Sequence, residues 1–244
     1  MKIAIIAGHG GVDTGANITG RTPEANINLD VALELGRLLS AAGYETAQYR
    51  NAYDAPKGLN GTQIIDDSGK FPARVGAELA IHIHHNAGGG VGAEIWAQVA
   101  DERGGPSKTL GEALLSEYKS IGQNSRGVKF RWNSTNSADY FGVLRHAKTS
   151  GIPAVITEYA FLDNSADYAK VDTMEKRRAQ AAAMLRAVQK TYPIKAPQKP
   201  KTGEEAIRYL ASKGRINAPE YWIEMMKTVK WLGDMFVKWA EDVG

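Results

Sequence analysis

The chain has 244 residues, of which 43% are hydrophobic and 23% charged, and its formal net charge is +3. Because the basic excess is small and no block of Arg and Lys is interleaved with aromatic residues, nucleic acid is excluded as a partner. There are no cysteines, which excludes disulfides, thiolate zinc sites and a cysteine nucleophile. No apolar segment reaches the length of a membrane span, so we expect no membrane insertion.

Strands alternate with helices along residues 1–192. The predicted strands are Ile3–Ala7, Tyr44–Tyr49, Leu79–His84, Ala93–Val99 and Ala154–Thr157. The predicted helices are Asn26–Ala42, Ser107–Ile121 and Met174–Thr191. Asn51–Lys70 is rich in Gly, Asn and Asp and is predicted to be a surface loop. The alternation predicts an α/β fold with a mostly parallel central sheet flanked by helices.

A segment rich in proline and lysine, residues 193–203, is predicted to be an extended linker because prolines end the preceding helix. The following residues, 204–244, are predicted to form a small all-α domain with helices Glu204–Lys213, Pro219–Thr228 and Val229–Val243. About forty residues is near the lower limit for independent folding, so self-association through this C-terminal module is one role open to it. We expect at least two of its three tryptophans, Trp222, Trp231 and Trp239, to form its core.

Four side chains that can bind a metal lie close to the predicted ends of strands or helices. His9, His84 and Glu158 each come at the carboxyl end of an apolar run, and Glu24 stands just before a long helix. The carboxyl ends of parallel strands meet at one edge of a sheet, where ligands bind. Two imidazoles and one carboxylate make a three-ligand zinc site with a position left for water, and the second glutamate is placed to accept a proton.

The same residues also have simpler interpretations. Glu24 alone would be an acidic first-turn residue that favours the helix dipole. In a strand, alternation puts His82 on the face of His84 and His85 on the opposite face. We expect His82 to be a packed histidine with one hydrogen bond and His85 to be a loop or wall residue.

Taken in chain order, these residues resemble the zinc-dependent N-acetylmuramoyl-L-alanine amidases of the Amidase_3 type. The matching segments are Gly8-His9-Gly10-Gly11-Val12-Asp13, Glu24 with Asn28-Leu29-Asp30, His82-Ile83-His84-His85-Asn86-Ala87, Val143-Leu144-Arg145, Pro153-Ala154-Val155, and Glu158 with Phe161-Leu162-Asp163-Asn164. The resemblance covers about residues 1–192. The chain departs from the family pattern at Ile6-Ala7, His82 and Ala160, where Asp-Pro, Ser and Gly are usual.

The resemblance implies a single zinc ion (Zn2+) and hydrolysis of the amide between N-acetylmuramic acid and L-alanine of the stem peptide. Carried over by position, His9, Glu24 and His84 bind the zinc and Glu158 is the catalytic base. Asn86 and Arg145 are candidate substrate-binding residues, and Arg145 has an equal claim to capping a strand. The implied partner is bacterial peptidoglycan.

A phage or prophage endolysin is the role we expect. The N-terminal residues Met1–Ala7 are a buried strand rather than a signal peptide, so the protein is expected to be made in the cytoplasm and to reach the wall through a holin-type pore or cell lysis. The C-terminal module resembles small helical modules appended to such lysins, which implies wall binding. A sporulation lysis enzyme, a zinc peptidase acting within the stem peptide, and a catalytically silent wall-binding protein remain as alternatives.

Overall fold

The computed structural model describes residues 1–54, 56–194, 202–229 and 231–243. The chain divides into two compact units, Met1–Ile194 and Lys195–Gly244, and each is described by itself. Most of the predicted linker, 193–203, lies outside the described residues, and Gly203 already begins a helix. Among the described helices, none combines the length and apolar character needed to cross a bilayer.

A six-stranded mixed sheet runs through the larger unit. Its strands are β1 (Lys2–Ala7), β2 (Glu45–Gln48), β3 (Leu79–Asn86), β4 (Ala93–Ala97), β5 (Ser125–Lys129) and β6 (Ala154–Phe161). The order is β2-β1-β3-β6-β4-β5. Four of the five strand pairings are parallel, and the pairing of β4 with β6 is antiparallel. This confirms the predicted α/β fold with a mostly parallel sheet.

Helices cover both faces of the sheet, which explains why the central strands are apolar runs rather than alternating ones. They are α1 (Glu24–Ala41), α2 (Gly61–Arg74), α3 (Pro106–Ser120), α4 (Gly142–Thr149), α5 (Ser165–Tyr168) and α6 (Met174–Thr191). Residues of α1, α3 and α6 pack in the larger core, against side chains such as Ile5 and Ile81. Residues of α2 and α4 pack in a smaller core on the other face, against Ile6 and Ile156. The functional residues described below are divided between these two faces.

The predicted loop Asn51–Lys70 is wrong in its second half, because α2 begins at Gly61. Asn60 caps the helix: its side chain accepts a hydrogen bond from the backbone N–H of Gln63 at 3.0 Å, and the side chain of Gln63 accepts one from Asn60 N–H at 2.9 Å. This reciprocal capping satisfies two donors of the first turn. It outweighs the poor helix propensity of the glycines and of Pro72 inside the helix.

Several predicted boundaries are also corrected. The strand β3 continues past His84 to Asn86, and β6 continues past Thr157 to Phe161, because the two strands keep pairing beyond a bulge. His84 is therefore not the last residue of its strand, and Glu158 lies within a strand rather than after it. The elements β5, α4 and α5 were not predicted, since none of them carries a long periodic apolar pattern.

The C-terminal unit contains the three predicted helices, α7 (Gly203–Ser212), α8 (Pro219–Thr228) and α9 (Leu232–Asp242). Its buried centre is formed by Ala206, Ile207, Leu210, Leu232, Phe236 and Ala240. The expected tryptophan core is wrong: Trp231 is 64% exposed and Trp239 39% exposed, and only Trp222 is partly buried against the centre. Aliphatic side chains and Phe236 fill the space instead.

Candidate metal centre

Three of the predicted ligands, His9, Glu24 and His84, meet at the carboxyl edge of β1 and β3. Nε2 of His9 and Nδ1 of His84 each lie 3.2 Å from Oε1 of Glu24. One ligand atom from each of the three residues lies within 4.8 Å of the others. Two imidazole nitrogens and one carboxylate oxygen at this separation are a donor set suited to zinc.

A tight turn aims the ring of His9 at this point. His9 has a backbone φ of 61°, which is uncommon for a residue with a side chain. The turn is closed by reciprocal backbone hydrogen bonds between Gly10 and Asp13, at 2.7 and 3.0 Å. Oδ2 of Asp13 lies 2.9 Å from Nδ1 of His9. A carboxylate on Nδ1 fixes the ring and leaves Nε2 for a metal, which is the usual support for a metal-binding histidine.

Two glycines are required by the close approach of the ligand side chains. A Cβ on Gly8 would lie 2.1 Å from Cε1 of His84, and a Cβ on Gly15 would lie 2.5 Å from Oε2 of Glu24. Real Cβ contacts are never so short, so the ligand side chains lie directly on these glycines. The glycines of the motif thus have a role in making room for the ligands.

Glu24 is the first residue of α1 and is only 4% exposed. Its Oε2 accepts a hydrogen bond from the backbone N–H of Ala16 at 2.9 Å. Burial opposes its ionisation, but hydrogen bonds with His84 and His9 outweigh burial and hold its pKa well below the usual value. Burial likewise lowers the pKa of His9, and the hydrogen bonds to Glu24 and Asp13 overcome this and raise it to about 9. The centre therefore binds positive charge, which a divalent cation would supply in place of the proton.

Glu158 lies beside this donor set, on β6 opposite His84 of β3. Among the described residues, its buried Oε2 has no hydrogen-bond partner. Burial is the main cause that raises its pKa well above the usual value, and the negative charges of Glu24 and Glu94 add to the shift. A buried carboxyl without a partner is costly unless another group compensates it. A cation on the neighbouring donor set would do so, and we conclude that these residues fit zinc.

A cleft of about 330 Å³ opens over the site. Its lining includes His9, His82, His84 and Glu158 together with an apolar wall. The wall is formed by Ile64 and Ile65 of α2 and by Tyr140, Phe141 and Val143 at the start of α4. The helices α2 and α4, neither of which was predicted, thus form the apolar side of the cleft.

The structure corrects both expectations for the neighbouring histidines. His82 is buried, as expected, but its Nε2 has no partner among the described residues. Burial, with a smaller contribution from His84, lowers its pKa to about 3. His85 is not a loop or wall residue: it is buried in β3, with Nδ1 2.7 Å from Oδ1 of Asn28 and Nε2 3.1 Å from Oε1 of Gln180. Burial lowers its pKa to about 4.

Asn86 and Arg145 are engaged with the protein itself. Asn86 donates from Nδ2 to Oε1 of Glu94 at 3.1 Å. Nη1 of Arg145 donates to the backbone carbonyls of Asp139 at 2.7 Å and Tyr140 at 2.6 Å, so it secures the segment before α4. Contact of either residue with substrate stays a prediction.

Sequence analysis assigned no role to Asp13 or to Glu94. Asp13 follows His9 by four residues, and a short-range carboxylate after a candidate histidine was the available signal. Glu94 is a buried acid within β4 and lies opposite Glu158 in the register of β4 and β6. Its Oε2 accepts hydrogen bonds from Arg126 at 2.7 Å and Lys129 at 2.5 Å. An acid inside the apolar run Ala93–Ala97 was the signal for it.

A mixed α/β fold that brings two histidines and two glutamates together at one cleft is an arrangement typical of hydrolase domains. Residues 3–190 match the family described as N-acetylmuramoyl-L-alanine amidase, Amidase_3. The match covers more than half of the chain, and the chain belongs to this family.

Three curated relatives illustrate the range of the family. The chain is 31% identical over 171 residues to N-acetylmuramoyl-L-alanine amidase CwlM of Bacillus licheniformis, covering 70% of this chain and 60% of the relative. It is 28% identical over 195 residues to the sporulation-specific N-acetylmuramoyl-L-alanine amidase of Bacillus subtilis strain 168, covering 80% and 69%. It is 30% identical over 163 residues to an endolysin of Bacillus phage SPP1, covering 65% and 54%. The chain thus spans about three fifths of the length of the first of these relatives.

Among solved structures, Cwp6 from Clostridium difficile superimposes with a TM-score of 0.69 at 28% sequence identity. The superposition covers 78% of this chain and 29% of Cwp6. The similarity therefore lies in one domain of a longer protein.

Proposed function

We propose that this chain hydrolyses the amide between N-acetylmuramic acid and L-alanine in peptidoglycan, with zinc held by His9, Glu24 and His84. The observation that carries the proposal is the convergence of three ligand atoms within 4.8 Å beside Glu158, whose Oε2 is buried. The family to which residues 3–190 belong supports the choice of bond. The zinc requirement and the whole protein's substrate are part of the proposal.

Zinc in such a site supplies a Lewis acid that polarises the amide carbonyl and makes a nearby water more acidic. The protein residues do the rest. Asp13 holds the ring of His9 through Nδ1, and the backbone N–H of Ala16 holds Glu24 through Oε2. Glu158, which lines the cleft, accepts a proton from the water whose oxygen adds to the amide carbon. It returns that proton to the amine of L-alanine as the carbon–nitrogen bond breaks. The apolar wall excludes water from one side of the cleft.

Glu158 must be ionised to act as a base, and a bound cation would favour that state. Its pKa is raised by burial and by the negative charge of Glu24 and Glu94. A divalent cation beside it would lower that pKa and favour the carboxylate.

The proposal is tested by digesting purified cell walls with the full chain, after chelation and after readdition of zinc. Released ends are labelled at their amino groups and identified. We expect new N-terminal alanine that depends on zinc. Any other new N-terminus would support the alternative zinc peptidase acting within the stem peptide. A chain that binds walls and releases no new end would be the catalytically silent wall-binding protein.

We further propose that the biological role is that of a phage or prophage endolysin, released to the wall through a holin-type pore or by cell lysis. The similarity to the endolysin of phage SPP1 supports this role. The sporulation-specific relative, which matches over more residues, is the rival. The neighbouring genes separate the two: a pore-forming partner gene supports the endolysin, whereas spore-cortex genes on both sides would overturn it.

A further inference from the structure

The carboxylate of Glu24 accepts a hydrogen bond from the first of a series of buried polar side chains. Asn28, one turn further along α1, donates from Nδ2 to Oε1 of Glu24 at 3.2 Å and to the backbone carbonyl of Gly8 at 3.2 Å. The backbone N–H of His85 donates to the same Oε1 at 3.1 Å. Asn28 therefore contacts both the carboxylate ligand and the backbone of Gly8, the residue before His9.

These two donations fix the orientation of the Asn28 amide, so its Oδ1 must face away from Glu24. That oxygen lies 2.7 Å from Nδ1 of His85, which therefore carries a proton and donates. On the other side of the ring, Nε2 of His85 lies 3.1 Å from the amide oxygen of Gln180, in α6. The contacts link α1, β3 and α6 in one line.

The last contact fixes the orientation of Gln180. A neutral imidazole with its proton on Nδ1 accepts at Nε2, so the amide nitrogen of Gln180 must face it. The oxygen and nitrogen of a side-chain amide have nearly the same shape. Exchanging their positions in Gln180 places its Nε2 next to Nε2 of His85. Without this exchange that nitrogen has no partner in the described part of the chain. With this orientation, Gln180 donates to His85, His85 donates to Asn28, and Asn28 donates to the carboxylate of Glu24.

The side chains of this line lie on the face of the sheet away from the cleft. His85 alternates with His84 along β3, and its neighbours are α1 and α6 rather than α2 and α4. Asn28 and Gln180 have no solvent exposure. Burying two amides and an imidazole is unfavourable unless each is paired, and apolar side chains of similar volume would stabilise the fold equally well. Stability alone therefore does not explain these polar residues, whereas their contact with the carboxylate of Glu24 does.

We propose that Asn28, His85 and Gln180 are positioning residues that hold the carboxylate of Glu24 and the turn before His9 in the arrangement that binds a divalent cation. The inference rests on the proposed function in taking His9, Glu24 and His84 as the ligands. Partners of this kind behind a metal ligand typically change metal affinity by about 10- to 100-fold. None of the three lines the cleft, so they act through Glu24.

The test uses the full chain with Gln180→Met, which keeps the side-chain length and removes the amide at a residue that contacts none of the three ligands. Zinc affinity is measured by competition with a chromogenic chelator, and the ligand field by the absorption spectrum of the cobalt-loaded protein. We expect about 10- to 100-fold weaker zinc binding and an altered cobalt spectrum. Thermal unfolding without metal shows whether the variant is folded.

Gln98→Met is the matched control. Gln98 is also buried and donates from Nε2 to the carbonyls of Leu144 at 3.4 Å and Ile152 at 3.0 Å. It follows β4, which runs antiparallel to β6, so it lies at the sheet edge away from Glu158. We expect a comparable loss of stability with unchanged zinc affinity and an unchanged cobalt spectrum.

The outcomes separate this inference from the function on which it rests. If the unaltered chain binds zinc and Gln180→Met binds it equally well with the same cobalt spectrum, the positioning role is wrong and the function stands. If the unaltered chain binds no zinc, both fail. Should Gln180→Met not fold, Asn28→Leu decides by the same two measurements, because it removes the direct donation to Glu24. An equal loss of affinity in Gln98→Met would show a general effect of destabilisation and overturn the proposal.

Discussion

At the scale of single residues, the proposed chemistry depends on Glu158, a carboxyl that the fold leaves without a hydrogen-bond partner at Oε2 among the described residues. Glu158→Gln keeps the shape of the side chain and removes its ability to accept a proton. We expect amide cleavage to fall by about 10²- to 10⁴-fold, the range for loss of a general base. The rate of alanine-end release from purified walls measures this.

Zinc content, measured on the same preparation by elemental analysis, is the control for this variant. Because Glu158 is not among the three converging ligands, Glu158→Gln should bind zinc as the unaltered chain does. Retention of the full cleavage rate would contradict the role of base. Loss of zinc together with activity would make Glu158 a ligand instead.

Gly8 offers a second test at this scale, because the ring of His84 occupies the space where any side chain would begin. In Gly8→Ala the new Cβ would lie 2.1 Å from Cε1 of His84, so the ring must move away from Glu24. We expect zinc affinity to fall by at least tenfold, about 1.4 kcal/mol, and chelator competition measures it. In the control Gly61→Ala, the new Cβ would be 3.6 Å from Oδ2 of Asp13, an ordinary contact, and zinc affinity should be unchanged. Equal affinities in both variants would contradict the close packing of His84 on Gly8.

At the scale of elements, the sequence was sufficient for β1, β3 and β6, because a strand covered on both faces is a continuous apolar run. Placement of ligands near the same sheet edge followed from the parallel pairing of these strands. The helix α2 was not predicted, because its first half lies in a segment rich in Gly, Asn and Asp, and the capping pattern of Asn60 and Gln63 was overlooked. The bonding of His85 had no local signal, because its partner Gln180 is 95 residues away in the chain.

The strand β3 carries two buried neutral histidines, and this predicts how the metal-free protein responds to acid. Burial lowers the folded-state pKa of His82 from 6.5 to about 3. Between these values the unfolded chain binds a proton that the folded chain does not, so stability is present above pH 6.5 and is lost as pH falls. His82→Asn removes this contribution. We expect its unfolding free energy to decline less steeply below pH 6.5 than that of the unaltered chain, by about 1.4 kcal/mol per pH unit.

Denaturant unfolding in the presence of chelator, at several values of pH from 7 to 4, provides the measurement. The comparison of the two proteins is needed because Glu158, with its raised pKa, contributes stability of the opposite sign in this range. That contribution is common to both proteins and cancels in the difference. Parallel stability curves for the two proteins would contradict the burial of an uncharged ring at His82.

At the scale of the whole molecule, we propose that hydrolysis and wall attachment belong to different units. The residues proposed to hold and use zinc all belong to Met1–Ile194. The smaller unit exposes Trp231 and Trp239, although the ring of Trp239 also stacks on Phe236 of its centre. Exposed indoles can pack on sugar rings, and this favours wall binding over self-association as the role of the unit. The failed expectation of a tryptophan core is therefore the observation that bears on its function.

Replacing both Trp231 and Trp239 with alanine in the full chain tests this assignment. We expect binding to insoluble walls, measured by co-sedimentation, to weaken by roughly tenfold, or about 1.4 kcal/mol. Turnover of a soluble muramyl peptide should be unchanged, because every proposed ligand and Glu158 lie in the larger unit. Met235→Ala, also at an exposed apolar position of α9, is the matched control and should bind walls normally. Unchanged wall binding with a fall in sedimentation mass would assign these tryptophans to self-association instead.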